Sequence, residues 1–495
     1  MLRVRTTKTG SGKIAVQVCL TGTKVVVVKH IGTASNEAEM VELKKLGVNY
    51  IATQNIYPLL SPSFLTGSKN SSDFLLNTEN LEIVKSTHLF SYEFLEVWYR
   101  ENGFDKLESN ILRDLSIARI LEPSSKLQTI KFLFEKFEIY YPKNKIYDYL
   151  LKISDLKEKA EDIAYLYATK KYPSNFSLLF YDVTTLYFET NKSDDLRKNG
   201  FSKDNKSNQP QILIGLLVNR DGYPVSFDIF QGNTFEGHTF IPSILNLKRK
   251  RNIKNLTIVA DAGMISFKNI TELQNHGLSY IVGARIGNLK ENILQEISAK
   301  LHQSEGIFSK TETDKGLLIC DYSTKRANKN RSDRKKQILR AEFQINSQAK
   351  LTKRSRFVLQ ENKNILKLNE DLIKKDELIE GIKGYYTNLK TTSPKLIIAR
   401  YKDLWHVEKS FRIAKSDLLA RPIFHFKETS IKAHILIIFI ALAISKSIEL
   451  KTNLSIRKTK EIIWRIEDIT LKDNLTNKQI TKRMQINPEI KSLYP

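Results

Sequence analysis

Apolar and polar positions alternate through residues 1–35, as in AVQVCLTGTKVVVVKHIG, with Gly-rich turns between the runs, which predicts a small β unit. Between about 90 and 172 the spacing becomes that of amphipathic helices, with Phe94, Leu95, Trp98, Ile111, Leu112, Leu115 and Ile120 as candidate core positions. After Pro173 strands return as FSLLFYDVTTLYFE and QILIGLLVN, followed by a turn at Arg220-Asp221-Gly222 and then PVSFDIF. A basic helix near Phe240–Arg251 leads to the buried strand LTIVADAG and to GLSYIVGAR, and this order describes an α/β core. From about Gly287 to Gly384 the pattern loosens into charge-dense sequence such as STKRANKNRSDRKKQ. An inserted segment is expected there, its basic run being either a solvated connector or a nucleic-acid contact.

The strongest helical pattern runs from Ser393 to Pro422 and reads as one helix. Ser393 is a good N-cap, Pro394 suits the first helical position, and Arg421-Pro422 biases the chain out of helix at the far end. Leu404, Val407, Phe411, Ala414 and Leu418 form a stripe that would face a core. Tyr401, Trp405, Glu408, Arg412 and Lys415 form a second stripe, so an acid, two cations and two aromatics share one face. Glu408 could simply pair with Arg412 one turn away, a contact worth a few tenths of a kcal/mol.

Composition narrows the class. At 495 residues the chain exceeds what one core usually holds, and two to four domains are expected. The 79 Lys and Arg against 54 Asp and Glu give a formal charge of +25, which favours a polyanionic partner such as nucleic acid. Part of that basicity follows from a composition rich in Lys, Asn and Ile throughout. Cys19 and Cys320 are far apart and lack metal-type spacing, which fits a reducing cytoplasm. The first residues lack the apolar core of a signal peptide. The apolar run Ile435–Ile444 is far short of a membrane span, so a soluble protein with no membrane partner is expected.

Two aspartates stand out because each lies in or at the end of an otherwise apolar strand. Asp182 follows Leu178-Leu179-Phe180-Tyr181, and Asp261 follows Ile258-Val259-Ala260. Burying a lone carboxylate costs several kcal/mol, so such residues are usually paired, hydrogen-bonded or bound to metal. Taken singly, Asp261 could cap the turn that follows it and Asp182 could bond the hydroxyls of Thr184 or Thr185. Together with Glu408 they make a set of three acids of the kind that holds two Mg²⁺ ions (Mn²⁺ being the alternative) for phosphoryl transfer. Arg412 and Lys415 would then hold phosphates, and Tyr401 and Trp405 could stack or hydrogen-bond on an exposed nucleotide. Asn233 and Glu236, just before a helix, read as an N-cap and its partner, and His238, His425 and His434 read as structural.

At these residues the chain resembles the DDE transposases of bacterial insertion sequences, in the group marked by Tyr-x2-Arg-x3-Glu-x6-Lys. Tyr401, Glu408 and Lys415 match at the group's spacing, supported by YDVTTLYFE around Asp182 and ADAGM around Asp261. GYYTN at 384–388, YSTKRA at 322–327 and RPIFH at 421–425 accompany them. Leu404 occupies the signature's Arg position, and the cationic role is expected to pass to Arg412. The resemblance implies an RNase H-like catalytic core interrupted by an inserted, mainly β domain. It also implies metal-dependent cleavage at terminal inverted repeats, followed by attack of the freed 3′-OH on target DNA.

The expected layout is a β unit and linker over 1–85, then an α-helical, DNA-end-binding domain over 86–172. The catalytic core would span 173–286 and 386–446, around an insertion at 287–385, with a helical tail over 447–495. A homodimer on double-stranded DNA is expected, in a bacterial cytoplasm at the nucleoid. Two other readings stay open: an RNase H-like nuclease without strand transfer, and a repeat-binding protein without catalysis. Repeat sequence, target preference and cleavage intermediate are not legible.

Overall fold

The computed structural model describes the chain except residues 1, 11, 22–24, 55–80, 174–176, 204, 207, 252, 254, 255, 265, 348–355, 363, 364 and 476. The expected linker and the turn at 22–24 therefore lie largely outside the described residues. Two compact units divide the chain, Met1–Leu81 and Glu82–Pro495. In the first, β1 (Leu2–Lys8), β2 (Ile14–Thr21) and β3 (Val25–Ala34) form an antiparallel sheet, followed by α1 (Glu37–Gln54). The alternation seen in the sequence works as expected there, since Val16 and Val18 on β2 are buried.

The second unit opens with β4 (Leu81–Thr87) and the helices α2 (Leu89–Glu101), α3 (Asn110–Leu121), α4 (Lys126–Phe137), α5 (Lys143–Lys152) and α6 (Lys157–Lys171). Ser109 and Ser125 cap α3 and α4, their hydroxyls accepting from the N–H groups of Leu112 and Gln128. All seven core positions named from the helical spacing are buried.

Next come β5 (Leu178–Tyr187), β6 (Gln211–Asn219), β7 (Pro224–Gln231), α7 (Glu236–Arg251), β8 (Thr257–Ala260), α8 (Phe267–Asn275) and β9 (Ser279–Ala284). The chain continues through α9 (Glu291–Leu301), β10 (Phe308–Thr313), β11 (Gly316–Tyr322), α10 (Thr324–Ser347), β12 (Val358–Asn362), β13 (Ile365–Leu368), α11 (Glu370–Leu378) and β14 (Ile382–Thr387). It closes with α12 (Pro394–Lys402), α13 (Trp405–Arg412), α14 (Glu428–Thr452), α15 (Ile456–Trp464), β15 (Asp468–Asp473) and β16 (Gln479–Arg483). Eight strands form one central sheet in the order β10-β11-β14-β9-β8-β5-β6-β7. β5, β8 and β9 run parallel, while β6 and β7 run as an antiparallel meander from β5. β5 and β6 are buried along nearly their whole length, both their faces being covered.

The segment 287–385 differs from the separate, mainly β insertion that was expected. Its strands β10, β11 and β14 extend the central sheet beyond β9, and its longest element is α10, with 24 residues. The cause is local chemistry: GLLICDY and IKGYYT are apolar enough to pair on the edge left by β9. STKRANKNRSDRKKQ, by contrast, is rich in helix-forming Lys and Arg and poor in β-branched residues. The tail is also not purely helical, since β15 and β16 join β4 in a three-stranded sheet. Arg483 fastens it, with two hydrogen bonds to Glu93 and one to Asp468.

The apolar run at Ile435–Ile444 is the middle of α14. That helix is long and apolar enough to cross a membrane, yet 94% of its most apolar window is buried inside the protein. It packs against α2, α3, α5, α6, α15 and β7, which makes it a core element of the unit.

Candidate active site

Asp182 and Asp261 come together because the strands that carry them are neighbours. In the parallel β5–β8 pair Tyr181 stands opposite Ala260, so the next residue on each chain is an aspartate. Adjacent strands lie about 4.8 Å apart. The Asp182 side chain is only 18% exposed. Its carboxyl is pushed up to about 6, chiefly by burial and further by the negative charges of Glu236 and Asp261, against the pull of Lys203 and a hydrogen bond from the Val183 backbone.

Lys203 and Glu236 complete this end of the site, and neither was singled out for it from the sequence. Lys203 Nζ lies 2.9 Å from Glu236 Oε1 and 4.0 Å from Asp182 Oδ1, and donates to the carbonyl of Val183 at 2.6 Å. Its backbone N–H donates to Thr185 Oγ1 at 3.2 Å. Because α7 begins at Glu236 itself, Asn233 stands too early to cap it, and Glu236 does not serve as the partner of a capping residue. Its Oε2 instead lies against the turn after Asp261, where a Cβ on Gly263 would be 3.7 Å away. A carboxylate just ahead of a helix fits a cap so well that sequence offered no reason to look further.

At the other end, the Tyr401 hydroxyl donates to Asp261 Oδ1 at 3.1 Å. Gly283 on β9 makes room for it, since a Cβ there would come within 2.5 Å of that hydroxyl. Lys383 Nζ sits 4.6 Å from the centre of the Tyr401 ring. Burial and Arg326 push the Lys383 ammonium down, while Asp261, Asp321 and Glu408 pull it up, so this lysine stands in the field of two of the predicted acids. It directly precedes GYYTN, a position that could have drawn attention to it.

The stretch from Ser393 to Pro422 is two helices rather than one. Ser393 caps α12 as expected, its hydroxyl accepting from the N–H of Leu396. The chain then turns at Asp403-Leu404 before α13 and ends in a π-turn over Ile413–Asp417. No Gly or Pro marks the break. It is set by tertiary contacts: Arg220 Nε donates to Asp403 Oδ2 at 3.1 Å, and Leu404 is buried. The core stripe is nevertheless real, because Leu404, Val407, Phe411, Ala414 and Leu418 are all buried.

The second stripe is divided. Tyr401 is buried on α12, Trp405, Glu408 and Arg412 are exposed on α13, and Lys415 lies in the π-turn. No Glu408–Arg412 ion pair forms among the described residues. The site thus brings Asp182, Asp261 and Tyr401 together, and the charge of Glu408 acts on Tyr401 and Lys383 as that of Asp261 does. Among the described residues no three His, Cys, Asp or Glu side chains are gathered around one ion position. The two aspartates still suit a hard cation, with oxygen donors on neighbouring strands and a carboxyl whose proton affinity is raised by burial first and by adjacent negative charge second.

Comparison with known proteins bears on the same residues. No curated protein sequence matches the chain. Among solved structures, the piggyBac transposase synaptic complex with hairpin DNA aligns at 9% identity over 76% of this chain and 79% of that one, with a TM-score of 0.38. The Mos1 transposase paired-end complex with left transposon end aligns at 12% identity over 36% of this chain and 55% of that one, with a TM-score of 0.16. Likeness at that level adds nothing to the assignment, which comes from sequence: the profile of the transposase DDE domain matches residues 173–444 and includes Asp182, Asp261, Tyr401, Glu408 and Lys415. With more than half of its length inside that match, the chain belongs to the DDE transposase family.

Proposed function

We propose that the protein is a metal-dependent DNA transposase of the Tyr-Arg-Glu-Lys group of bacterial insertion sequences. It would cleave at terminal inverted repeats and join the freed 3′-OH ends to target DNA. The observation that carries this reading is the side-by-side placement of Asp182 and Asp261 on β5 and β8. The strand order β7-β6-β5-β8-β9, with an antiparallel meander and two further strands parallel to β5, supports an RNase H-like core. Asp182, Asp261 and Glu408 would hold two Mg²⁺ or Mn²⁺ ions, which when bound activate the attacking oxygen and stabilise the leaving one. Tyr401 orients Asp261 through its hydrogen bond. Lys203 holds the Asp182 and Glu236 carboxylates on one ammonium group.

Trp405, 50% exposed, offers a face for an unpaired base, and Arg412 and Lys415 supply charge for the DNA backbone. Two ends must be paired for transposition, so a homodimer on double-stranded DNA is part of the reading. Among the described residues the three acids are not gathered around one ion position, and this is what favours the second reading, a repeat-binding protein that does not cut. Labelled inverted-repeat DNA with Mg²⁺ or Mn²⁺ separates the cases. Nicked and strand-joined products are expected from the natural chain and neither from Asp182→Asn. Undiminished activity in that variant rules out the assignment, nicks without joining indicate a nuclease, and binding alone indicates the non-cutting protein.

A further inference from the structure

Four basic side chains meet within the second unit with no acid among them. Arg119, in the last turns of α3, is 6% exposed, and Lys126, the first residue of α4, is 4% exposed. Among the described residues no salt bridge to either forms, and no carboxylate is among the charges acting on them. Burial alone pushes Arg119 down, to about 10, and burial with the charge of Arg119 pushes Lys126 down. His434, on α14, is 4% exposed. Its Nε2 donates to the carbonyl of Ala420 at 3.2 Å, which leaves Nδ1 buried with no partner. The His425 ring lies 5.5 Å from it, centre to centre. Both histidines are pushed down by burial and then by Lys126 and Arg119, His425 to about 4.

This is the reverse of what burial ordinarily selects. An uncompensated buried charge costs several kcal/mol, and an arginine at neutral pH cannot escape that cost by losing its proton. Surrounding it with a lysine and two histidines raises the cost, unless something negative stands between them. Unsatisfied buried groups of this kind point to an ion that completes them.

We propose that Arg119, Lys126, His425 and His434 form a binding site for a tetrahedral oxyanion of the phosphate class, either a free ion or one phosphate of a bound strand. The site is built from α3, α4, α14 and the segment before α14, which hold none of Asp182, Asp261 and Glu408. Anion binding restores the proton affinity of Lys126 and the two histidines, so binding takes up protons and tightens as pH falls.

Sulfate tests this cleanly, because it stays doubly charged from pH 6 to pH 8. With the full chain at constant ionic strength in chloride, the unfolding temperature should rise with sulfate along a saturable curve, more at pH 6 than at pH 8. Lys126→Met and Arg119→Met should each unfold at a higher temperature than the natural chain in chloride alone and lose the saturable response. An identical rise in the natural chain and both variants, or no rise at all, overturns the site. A DNA duplex then identifies the source of the anion. If a strand phosphate occupies the site, saturating sulfate weakens DNA binding about tenfold in the natural chain but not in Lys126→Met. Unchanged DNA affinity in both assigns the site to a free ion.

Discussion

Asp182 is the residue whose surroundings are most costly to its charged form. Its carboxyl is lifted from the ordinary 3.8 to about 6, which makes the folded anion less stable by roughly 3 kcal/mol. The sign follows from linkage: the folded state holds this proton more tightly than the unfolded chain, so the penalty is complete above pH 6 and vanishes below pH 4. Asp182→Asn should therefore unfold at a higher temperature than the natural chain at pH 7–8, with the difference closing as pH falls toward 4. Thermal melts across that range read it directly, and a variant less stable at every pH would mean that the carboxylate holds the strand together. A carboxylate that destabilises the fold and stands beside Lys203 and Asp261 fits a group that serves chemistry rather than folding.

Among elements, α13 decides where Glu408 can go. Its inner face is fixed by Val407 and Phe411, and Ser410 Oγ donates to the carbonyl of Gly222 at 2.8 Å, in the turn between β6 and β7. Ser410→Ala should cost about 1 kcal/mol in denaturant unfolding. A small misalignment of Glu408 should then slow DNA cleavage by up to about 100-fold with DNA affinity unchanged. Lost stability with a full cleavage rate would show that the helix is positioned from elsewhere. The buried stripe of this element was readable from its spacing, and so were the two aspartates, because a charge after four apolar residues violates the strand pattern. The break at Asp403 was not readable, since Arg220, which holds it, lies far away in the chain. Glu236 was hidden for a related reason: its spacing has an ordinary local explanation, and only the arrival of Lys203 from another loop changes its meaning.

For the whole molecule, α14 has a consequence for which parts of the chain can be exchanged. This one helix is shared by the residue 86–172 region, the central sheet and the C-terminal strap, so each leans on the same apolar surface. A fragment spanning 86–172 should therefore be poorly soluble and lack cooperative unfolding when expressed alone, whereas the chain from Glu82 onward should fold. Circular dichroism melts of both decide the matter, and a well-folded fragment would show that the helices form a module in their own right. If they do not, a recombination event cannot exchange the 86–172 region as a cassette. Change in that region must then accumulate by point substitution on the outer faces of α2–α6, while their inner faces stay bound to a helix they share with the central sheet.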